Sequence, residues 1–271
     1  MAYNPLHKLE NNIAAVRIAL DHTIPSSQQL ELLKQYSGFG GIKAILYPYG
    51  SREEWNKLGA TREDTRLYDR VQELHKLLQS KFSEENYKTI ISSLKNSVLT
   101  AFYTPPVIPQ TLYQVLGQRD IVVKSLYEPS AGAGVFISEG VTSLKHLESI
   151  TAVEKDILTG KVLQSLCKAL PVEVKVHVAG FEETPANENG QYDLIVSNIP
   201  FGNFPVYDPA FPDNRISGKI HNYFFAKGLE KLREGGLLAY ITTDAFLNNP
   251  SNAAARGHLF RQSDFVSLSV L

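Results

Sequence analysis

The residues with the clearest chemical potential follow an apolar run in the last third of the chain. Asn198-Ile199-Pro200-Phe201 comes directly after Leu194–Ser197. The Asn198 side chain offers an amide oxygen, and because proline lacks an N–H and fixes its own φ, we expect the Ile199 carbonyl to point outward as a second acceptor. Two such acceptors can bind both hydrogens of a planar exocyclic amine, and Phe201 can stack on the ring that bears it. The same four residues also fit an ordinary turn.

A second candidate site is a turn of small residues that begins at Glu128. It contains Ser130, Ala131, Gly132 and Gly134. Small residues between a strand and a helix let a ligand approach the backbone and the N–H groups at the helix start. The turn departs from the dinucleotide pattern GxGxxG, and Glu128 would repel a pyrophosphate, so the cationic or amino end of a ligand fits better. A glycine turn also serves simply to reverse the chain.

Glu154 and Lys155 follow the next apolar run along the chain. Glu154 comes 26 residues after Glu128 (154 − 128). At a comparable spacing in βαβ nucleotide sites, an acid at a strand tip accepts hydrogen bonds from ribose hydroxyls. Together with the preceding turn, this spacing predicts a ribose-binding acid. In isolation Glu154 would be a solvent-facing turn residue.

The elements expected to position these residues alternate between short β-branched runs and helical segments from Ser125 onward, as in repeated βαβ units. The predicted strands are Ser125–Tyr127, Ile150–Val153, Val172–Val178, Leu194–Ser197, Leu237–Thr242 and Phe265–Leu271. The predicted helices are Val135–Leu147, Ile157–Leu170 and His221–Arg233. This pattern predicts an α/β fold with a Rossmann-like, mostly parallel sheet that is covered on both faces and binds ligands at the carboxyl ends of its strands.

The first part of the chain has a different pattern. Apolar residues recur there at helical spacing, for example at Leu67, Val71, Leu74 and Leu78. We therefore divide the chain into a helical lobe, residues 1–100, and a second domain, residues 101–271. Within the lobe, three glycines in the segment 37–41 predict a tight loop.

Composition excludes several classes of protein. With 43% hydrophobic and 20% charged residues, the 271-residue chain is expected to be globular rather than disordered. A net charge of −1 provides no global attraction to nucleic acid, so any such contact must be local. The histidines form no HxxxH pair and no CxxC is present, so we expect no metal, and the single cysteine, Cys167, is predicted to be buried. Neither a membrane span nor a signal peptide is visible, which makes a cytoplasmic location without a membrane partner the expectation.

Taken together, these motifs resemble the amino-group DNA methyltransferases, whose motif Asn/Asp-Pro-Pro-Tyr/Phe corresponds to Asn198–Phe201. The resemblance includes an S-adenosylmethionine turn, Glu128–Phe136, and the upstream segment Phe102-Tyr103-Thr104-Pro105-Pro106. The order of the three motifs is similar to the gamma arrangement of adenine-N6 enzymes. Three further blocks resemble the large DNA methylase–helicase fusion proteins of phages and conjugative elements: Tyr36–Gly41, Asn198–Phe204 and His221–Phe225.

This resemblance implies S-adenosyl-L-methionine as cofactor and DNA as partner, with the target adenine flipped out of the duplex. The stretch Asn203–Lys219 would then form a wall or lid for the flipped base, unless it is a variable surface loop. The residues that the resemblance implies to take part in catalysis are Asn198, Ile199, Pro200 and Phe201. The residues that it implies to bind the cofactor are Tyr103, Thr104, Glu128, Ser130, Ala131, Gly132, Gly134, Glu154, Lys155, Phe181, Glu182 and Asn198.

Two positions depart from the family pattern. Ile199 stands where the first proline is usual, which costs little if that residue acts through its carbonyl. Gly180-Phe181 stands where the family often has Asp-Phe, whose acid meets the amino group of the cofactor adenine. Phe181 is expected to flank that adenine, with Glu182 as a shifted substitute for the acid.

Other functions fit the same residues. The acceptor could be RNA or the amide of a protein glutamine, or the chain could be a non-catalytic module that binds cofactor or DNA. The final run, Phe265–Leu271, is strand-like without a cap or turn, so we expect a fragment of a longer protein. The resemblance implies that this protein continues into further, helicase-like domains, and we expect those to carry most of the phosphate-binding surface.

Overall fold

The computed structural model describes residues 4–100 and 104–270, and helices dominate the first of these ranges. Ser26, Ser51 and Thr61 begin helices through reciprocal capping boxes, which satisfy amides that would otherwise lack a partner. None of the described helices combines the length and apolarity needed to cross a membrane. The helices up to residue 100 are α1 (Pro5–Leu20), α2 (Ser27–Lys34), α3 (Arg52–Lys57), α4 (Arg62–Arg66), α5 (Tyr68–Lys81) and α6 (Glu84–Thr100), with a 3-10 turn at Lys43–Leu46.

A parallel sheet follows, with helices between its strands. The strands are β1 (Ser125–Glu128), β2 (Ser149–Val153), β3 (Glu173–His177), β4 (Tyr192–Asn198) and β5 (Leu232–Ile241). The helices are α7 (Val107–Gln118), α8 (Val135–Ser143), α9 (Ile157–Cys167), α10 (Asn214–Ser217), α11 (Ile220–Lys231), α12 (Ala245–Asn248) and α13 (Ala253–Leu259), and 3-10 turns lie at Phe181–Glu183, Ala186–Glu188 and Pro250–Asn252. The predicted α/β fold with a mostly parallel sheet is confirmed, since all four strand pairings in the described chain are parallel.

The strand order locates the functional edge of the sheet. It runs β3-β2-β1-β4-β5, so the chain first builds outward from β1 in one direction and then crosses to place β4 on the other side of β1. Ligands in open α/β sheets bind at the carboxyl ends of the strands, where the order reverses in this way. The switch point here lies between β1 and β4.

The predicted helices Val135–Leu147 and Ile157–Leu170 end earlier, at Ser143 and Cys167, and two predicted strands differ more from the structure. β5 begins at Leu232, five residues before the predicted start, directly after α11 ends at Lys231. The glycine-containing first part of β5 is accommodated by an irregularity in its pairing with β4, between Tyr192 and Leu194. The predicted strand Phe265–Leu271 is wrong over residues 265–270, which form no strand; Leu271 lies outside the described residues. No described strand pairs with residues 265–270, and β-propensity alone does not form a strand.

The helical segment packs against α9 rather than standing apart from the rest of the chain. Apolar residues of α1, α5 and α6 belong to the same hydrophobic cluster as those of β1, β2 and α9. Tyr36, which precedes the glycine loop, is buried and hydrogen-bonds through its hydroxyl to Thr159 in α9 at 2.9 Å. Cys167 is buried as predicted, and burial raises the pKa of its thiol to about 12. The division of the chain at residue 100 stays a prediction.

Candidate functional site

Glu128 ends β1 beside the switch point and is almost completely buried, with 1% of its surface exposed. Burial raises the pKa of its carboxyl well above the ordinary value, and the nearby charge of Glu154 raises it further. Its Oε2 atom is buried and has no hydrogen-bond partner among the described residues. A buried acid without a cation is costly, and a positively charged ligand would offset that cost.

The turn after Glu128 requires glycine on steric grounds. Gly134, the N-cap of α8, has a φ of 81°, and a Cβ there would lie 2.7 Å from Cδ1 of Leu163. The Ala131 amide donates to the Val153 carbonyl at 2.8 Å, which ties the turn to the end of β2. Ser130 accepts a long hydrogen bond from Ser197 Oγ at 3.4 Å through its carbonyl, which places the turn beside the end of β4.

Glu154 lies after the end of β2, as the sequence predicts, and its two oxygens already accept backbone hydrogen bonds. Oε2 accepts from the Gly132 amide at 2.8 Å, and Oε1 accepts from the Asp156 amide at 2.7 Å. The Gly132 amide, which the sequence predicts to meet a ligand, therefore meets Glu154. Burial raises the pKa of the Glu154 carboxyl to about 7, although these backbone hydrogen bonds oppose the shift. The carboxylate retains lone pairs that can accept hydroxyl hydrogens.

Asn198 is the last residue of β4, across the switch point from Glu128. Its Oδ1 atom is buried and accepts no hydrogen bond from the described chain. Ile199 next to it is 1% exposed and packs among the apolar residues around Tyr223. The Ile199 amide also donates to the Ile241 carbonyl at 3.2 Å, which extends the pairing of β4 with β5 by one bond. A proline could not form that bond, which gives a structural reason for isoleucine at this position.

Pro200 and Phe201 are partly exposed, and a buried polar group backs the segment that follows them. His221 in α11 is 6% exposed, and its ring lies near the backbone of Gly202. Asn252 uses Oδ1 to accept from Lys219 Nζ at 2.8 Å, so its Nδ2 atom faces His221 Nε2 at 3.4 Å. That arrangement leaves the other ring nitrogen of His221 to carry the proton of the neutral ring. Burial and the charge of Lys219 lower the pKa of the imidazole, which favours the neutral ring.

The remaining predicted residues lie in different surroundings. Thr104 is partly exposed ahead of α7, whereas Tyr103 and the preceding Phe102 lie outside the described residues. Lys155 and Glu182 form an ion pair at 2.6 Å. The Phe181 ring is 2% exposed and packs against Tyr127, Tyr223 and Phe224 in the core, so its contact with an adenine ring stays a prediction.

A buried ion pair anchors the long loop between β4 and α11, and sequence reasoning missed it. Asp208 accepts hydrogen bonds from Lys227 Nζ at 2.8 Å and from the Tyr223 hydroxyl at 2.6 Å. Burial alone would raise the pKa of the Asp208 carboxyl, but these two donors outweigh it and hold that pKa below its ordinary value. The sequence signal for this pair is weak, since Lys227 lies outside the block His221–Phe225 and Asp208 belongs to no motif.

The site thus combines two kinds of chemistry at one sheet edge. Two acids, Glu128 and Glu154, lie at the ends of β1 and β2 and together favour a ligand that carries both positive charge and hydroxyl groups. Asn198 presents an unpartnered acceptor at the end of β4, next to Phe201. A cationic ligand on one side and a planar amine on the other would satisfy two of the buried oxygens that the described protein leaves without partners, Glu128 Oε2 and Asn198 Oδ1.

Comparisons with known proteins agree with this geometry. No family model matches the sequence. The chain is 26% identical over 173 residues to the Defense against restriction protein B of Escherichia phage P1, and the match spans 62% of this chain and only 7% of that much longer protein.

Two solved structures share the architecture over nearly the whole chain. One is a protein of Listeria monocytogenes assigned to the class I S-adenosylmethionine-dependent methyltransferases, with a TM-score of 0.51, 14% identity, and coverage of 95% of this chain and 79% of the other. The second is the methyltransferase subunit of a type I restriction-modification system from Streptococcus thermophilus, with a TM-score of 0.52, 18% identity, and coverage of 96% and 61%. These similarities confirm the resemblance to restriction-modification methyltransferases, and they show that this chain has the Rossmann-like fold of the S-adenosylmethionine-dependent methyltransferases.

Proposed function

We propose that this chain transfers the methyl group of S-adenosylmethionine to the exocyclic N6 amine of adenine in DNA. The observation that carries the proposal is the pair of buried oxygens without described partners on the two sides of the switch point, Glu128 Oε2 and Asn198 Oδ1. The first suits the cationic end of the cofactor, and the second suits an amine that is to be methylated. The restriction-related names of the similar proteins support DNA as the acceptor.

The residues present fit the cofactor in charge and in hydrogen bonding. Glu128 is buried and repelled by Glu154, so a ligand with an ammonium and a sulfonium would stabilise its ionised form. Glu154 offers carboxylate lone pairs to ribose hydroxyls. When bound, S-adenosylmethionine supplies a methyl group that its sulfonium already activates.

The chain's own contribution is to hold and polarise the target amine. Asn198 Oδ1 and the Ile199 carbonyl accept the two amine hydrogens, draw the nitrogen toward a tetrahedral geometry and stabilise the positive charge that develops on it. Phe201 stacks on the adenine ring, which has to leave the duplex to reach this position. The Ile199 backbone is fixed by its buried side chain and by the hydrogen bond from its amide to the Ile241 carbonyl. The two acceptors are therefore aligned before substrate arrives.

The direct test identifies the acceptor. The protein is incubated with S-adenosylmethionine labelled in its methyl group and with separate pools of DNA, RNA and protein, and labelled nucleosides are then separated after digestion. We expect label in N6-methyladenine from DNA. Label confined to RNA or to glutamine would support the other acceptors, and absence of both transfer and cofactor binding would support a non-catalytic module.

The raised pKa of Glu154 predicts a pH-dependent affinity for the ribose part of the cofactor. The carboxyl is mostly neutral below pH 7 and ionised above it, and the ionised form accepts hydroxyl hydrogens more strongly. We therefore expect the affinity for 5′-methylthioadenosine, which lacks the amino acid part, to increase about tenfold between pH 6 and pH 8. Isothermal titration calorimetry at several pH values measures it.

The Glu154→Gln variant is the control for this titration. It removes the ionisable group and should bind 5′-methylthioadenosine weakly at every pH, without the increase. An equal pH dependence in the variant and the wild type would show that another group titrates.

His221 is expected to act as a positioning residue for the tetrapeptide Asn198–Phe201. His221→Ala removes the buried ring that lies near the Gly202 backbone, so we expect the segment after Phe201 to be positioned less well and kcat to fall about 10- to 100-fold while KM for DNA changes little. His221→Gln, which keeps a donor, should recover part of kcat. Steady-state kinetics of both variants, with thermal unfolding as the folding control, measure this; a change confined to KM would contradict it.

A further inference from the structure

The loop after the tetrapeptide, residues 203–219, holds an aromatic side chain in solvent on an anchored backbone. Tyr207 is 88% exposed. The residues on both sides of it are fixed: the Val206 amide donates to the Ser217 carbonyl at 2.8 Å, and the Asp208 carboxylate is buried in the ion pair with Lys227. The backbone on both sides of Tyr207 is therefore held in place while its ring stays open to solvent, where a tyrosine presents both an apolar face and a polar hydroxyl.

Tyr207 lies a short length of chain away from the segment that follows Phe201. The Phe204 ring covers Gly202, since a Cβ built on Gly202 would lie 2.5 Å from Phe204 Cε1. Tyr207 follows Phe204 by three residues, so the two Cα atoms are at most about 11 Å apart. Successive bases of one DNA strand are about 3.4 Å apart along the helix axis, so this reach covers about three base steps.

The charges around the loop favour a polyanion. In the described chain, the Lys219 ammonium donates to neutral side-chain oxygens and the Arg256 guanidinium donates to backbone carbonyls, so neither charge is offset by an acid. The loop's own acids, Asp208 and Asp213, are each paired with a basic side chain. Positive charge therefore remains available for phosphates at the end of the loop that carries Tyr207.

We propose that Tyr207 stacks on a base of the DNA substrate next to the adenine that is flipped into the site. The inference rests on the proposed function and adds a contact residue outside the tetrapeptide. Stacking of an aromatic side chain uses the face of any base, so this contact holds the strand without reading its sequence. The cations Lys219 and Arg256 hold the adjoining phosphates.

The test measures DNA affinity with a fluorescein-labelled oligonucleotide of mixed sequence, as a single strand and as a duplex, by fluorescence anisotropy with S-adenosylhomocysteine present. Tyr207→Ala is expected to weaken binding about 5- to 150-fold, the range for loss of one base–aromatic stack. Tyr207→Trp should keep most of the affinity. The matched control is Tyr49→Ala, because Tyr49 is a half-exposed aromatic residue of the helical segment, and it should bind as the wild type does.

The outcomes separate the inference from the proposed function. Equal affinity of Tyr207→Ala and the wild type would overturn the inference, as would a wild-type protein that binds neither probe. Absence of methyl transfer to DNA by a wild type whose binding depends on Tyr207 would instead overturn the proposed function and leave the DNA contact standing. In every variant, cofactor affinity measured by calorimetry should equal that of the wild type.

Discussion

Asn198→Ala is expected to lower kcat for methyl transfer to DNA about 100- to 1,000-fold, the range for loss of one group that stabilises developing charge. Asn198 Oδ1 is the unpartnered acceptor at the end of β4, so its removal takes away a contact to the target amine and breaks no hydrogen bond within the described protein. The free energy of unfolding should therefore not fall, since an unsatisfied buried oxygen is lost rather than a bond. Transfer of labelled methyl groups and denaturant unfolding measure the two quantities.

Asn198→Asp is the matched control for this variant. It keeps an acceptor oxygen at the same position and belongs to the motif of the resembling enzymes, so part of the activity should return. If Asn198→Ala kept full activity, the assignment of the amine-binding acceptor would be wrong. If it instead destabilised the protein by several kcal/mol, Asn198 would have a structural role that the hydrogen bonds of the described chain do not show.

Lys227→Met is expected to lower the free energy of unfolding by about 3–5 kcal/mol, the usual cost of leaving one member of a buried ion pair without its partner. The Lys227 and Asp208 side chains are 7% and 5% exposed, so water cannot replace the lost ammonium. Lys227 also donates to the Glu182 carbonyl at 3.2 Å and lies over the Phe181 ring. Urea unfolding followed by circular dichroism measures the change.

The double variant Lys227→Met/Asp208→Asn tests the reason for this loss. It removes the uncompensated charge and keeps an acceptor for the Tyr223 hydroxyl, so it should be more stable than Lys227→Met alone. A loss of under about 1 kcal/mol in the single variant, typical of exposed pairs, would show that the pair is hydrated in solution.

The sequence predicts the layout of the sheet because hydrophobic alternation and small-residue turns are local signals. Glu128 and Asn198 are placed at strand ends by such signals, and the strand order then brings those ends to one switch point. Strand ends are predicted less well, since β5 starts earlier than its β-branched residues suggest. The run at 265–270 has the composition of a strand but no described neighbour to pair with, and pairing is a property of two segments.

The parts of the site that escaped prediction depend on distant residues. Ile199 looks like a departure from a proline motif, and only the hydrogen bond from its amide to the Ile241 carbonyl explains the substitution. The Asp208–Lys227 pair joins residues 19 positions apart across a loop with no repeating pattern. The hydrogen bond that Gly132 donates to Glu154 likewise depends on how the strand ends meet. Sequence spacing does not specify such contacts.

The hydrophobic cluster that joins α1 and α6 to α9 and the sheet has a consequence for recombination within such a chain. Recombination that replaces residues 4–100 alone would set new apolar side chains against an unmatched α9, and it would break the hydrogen bond between Tyr36 and Thr159 wherever the incoming segment lacks that tyrosine. A crossover that carries the helical segment together with β1 through α9 keeps both sides of the cluster. The segment that can be exchanged without disrupting the packing is therefore the whole cluster, which extends past the boundary that the change in sequence pattern suggests.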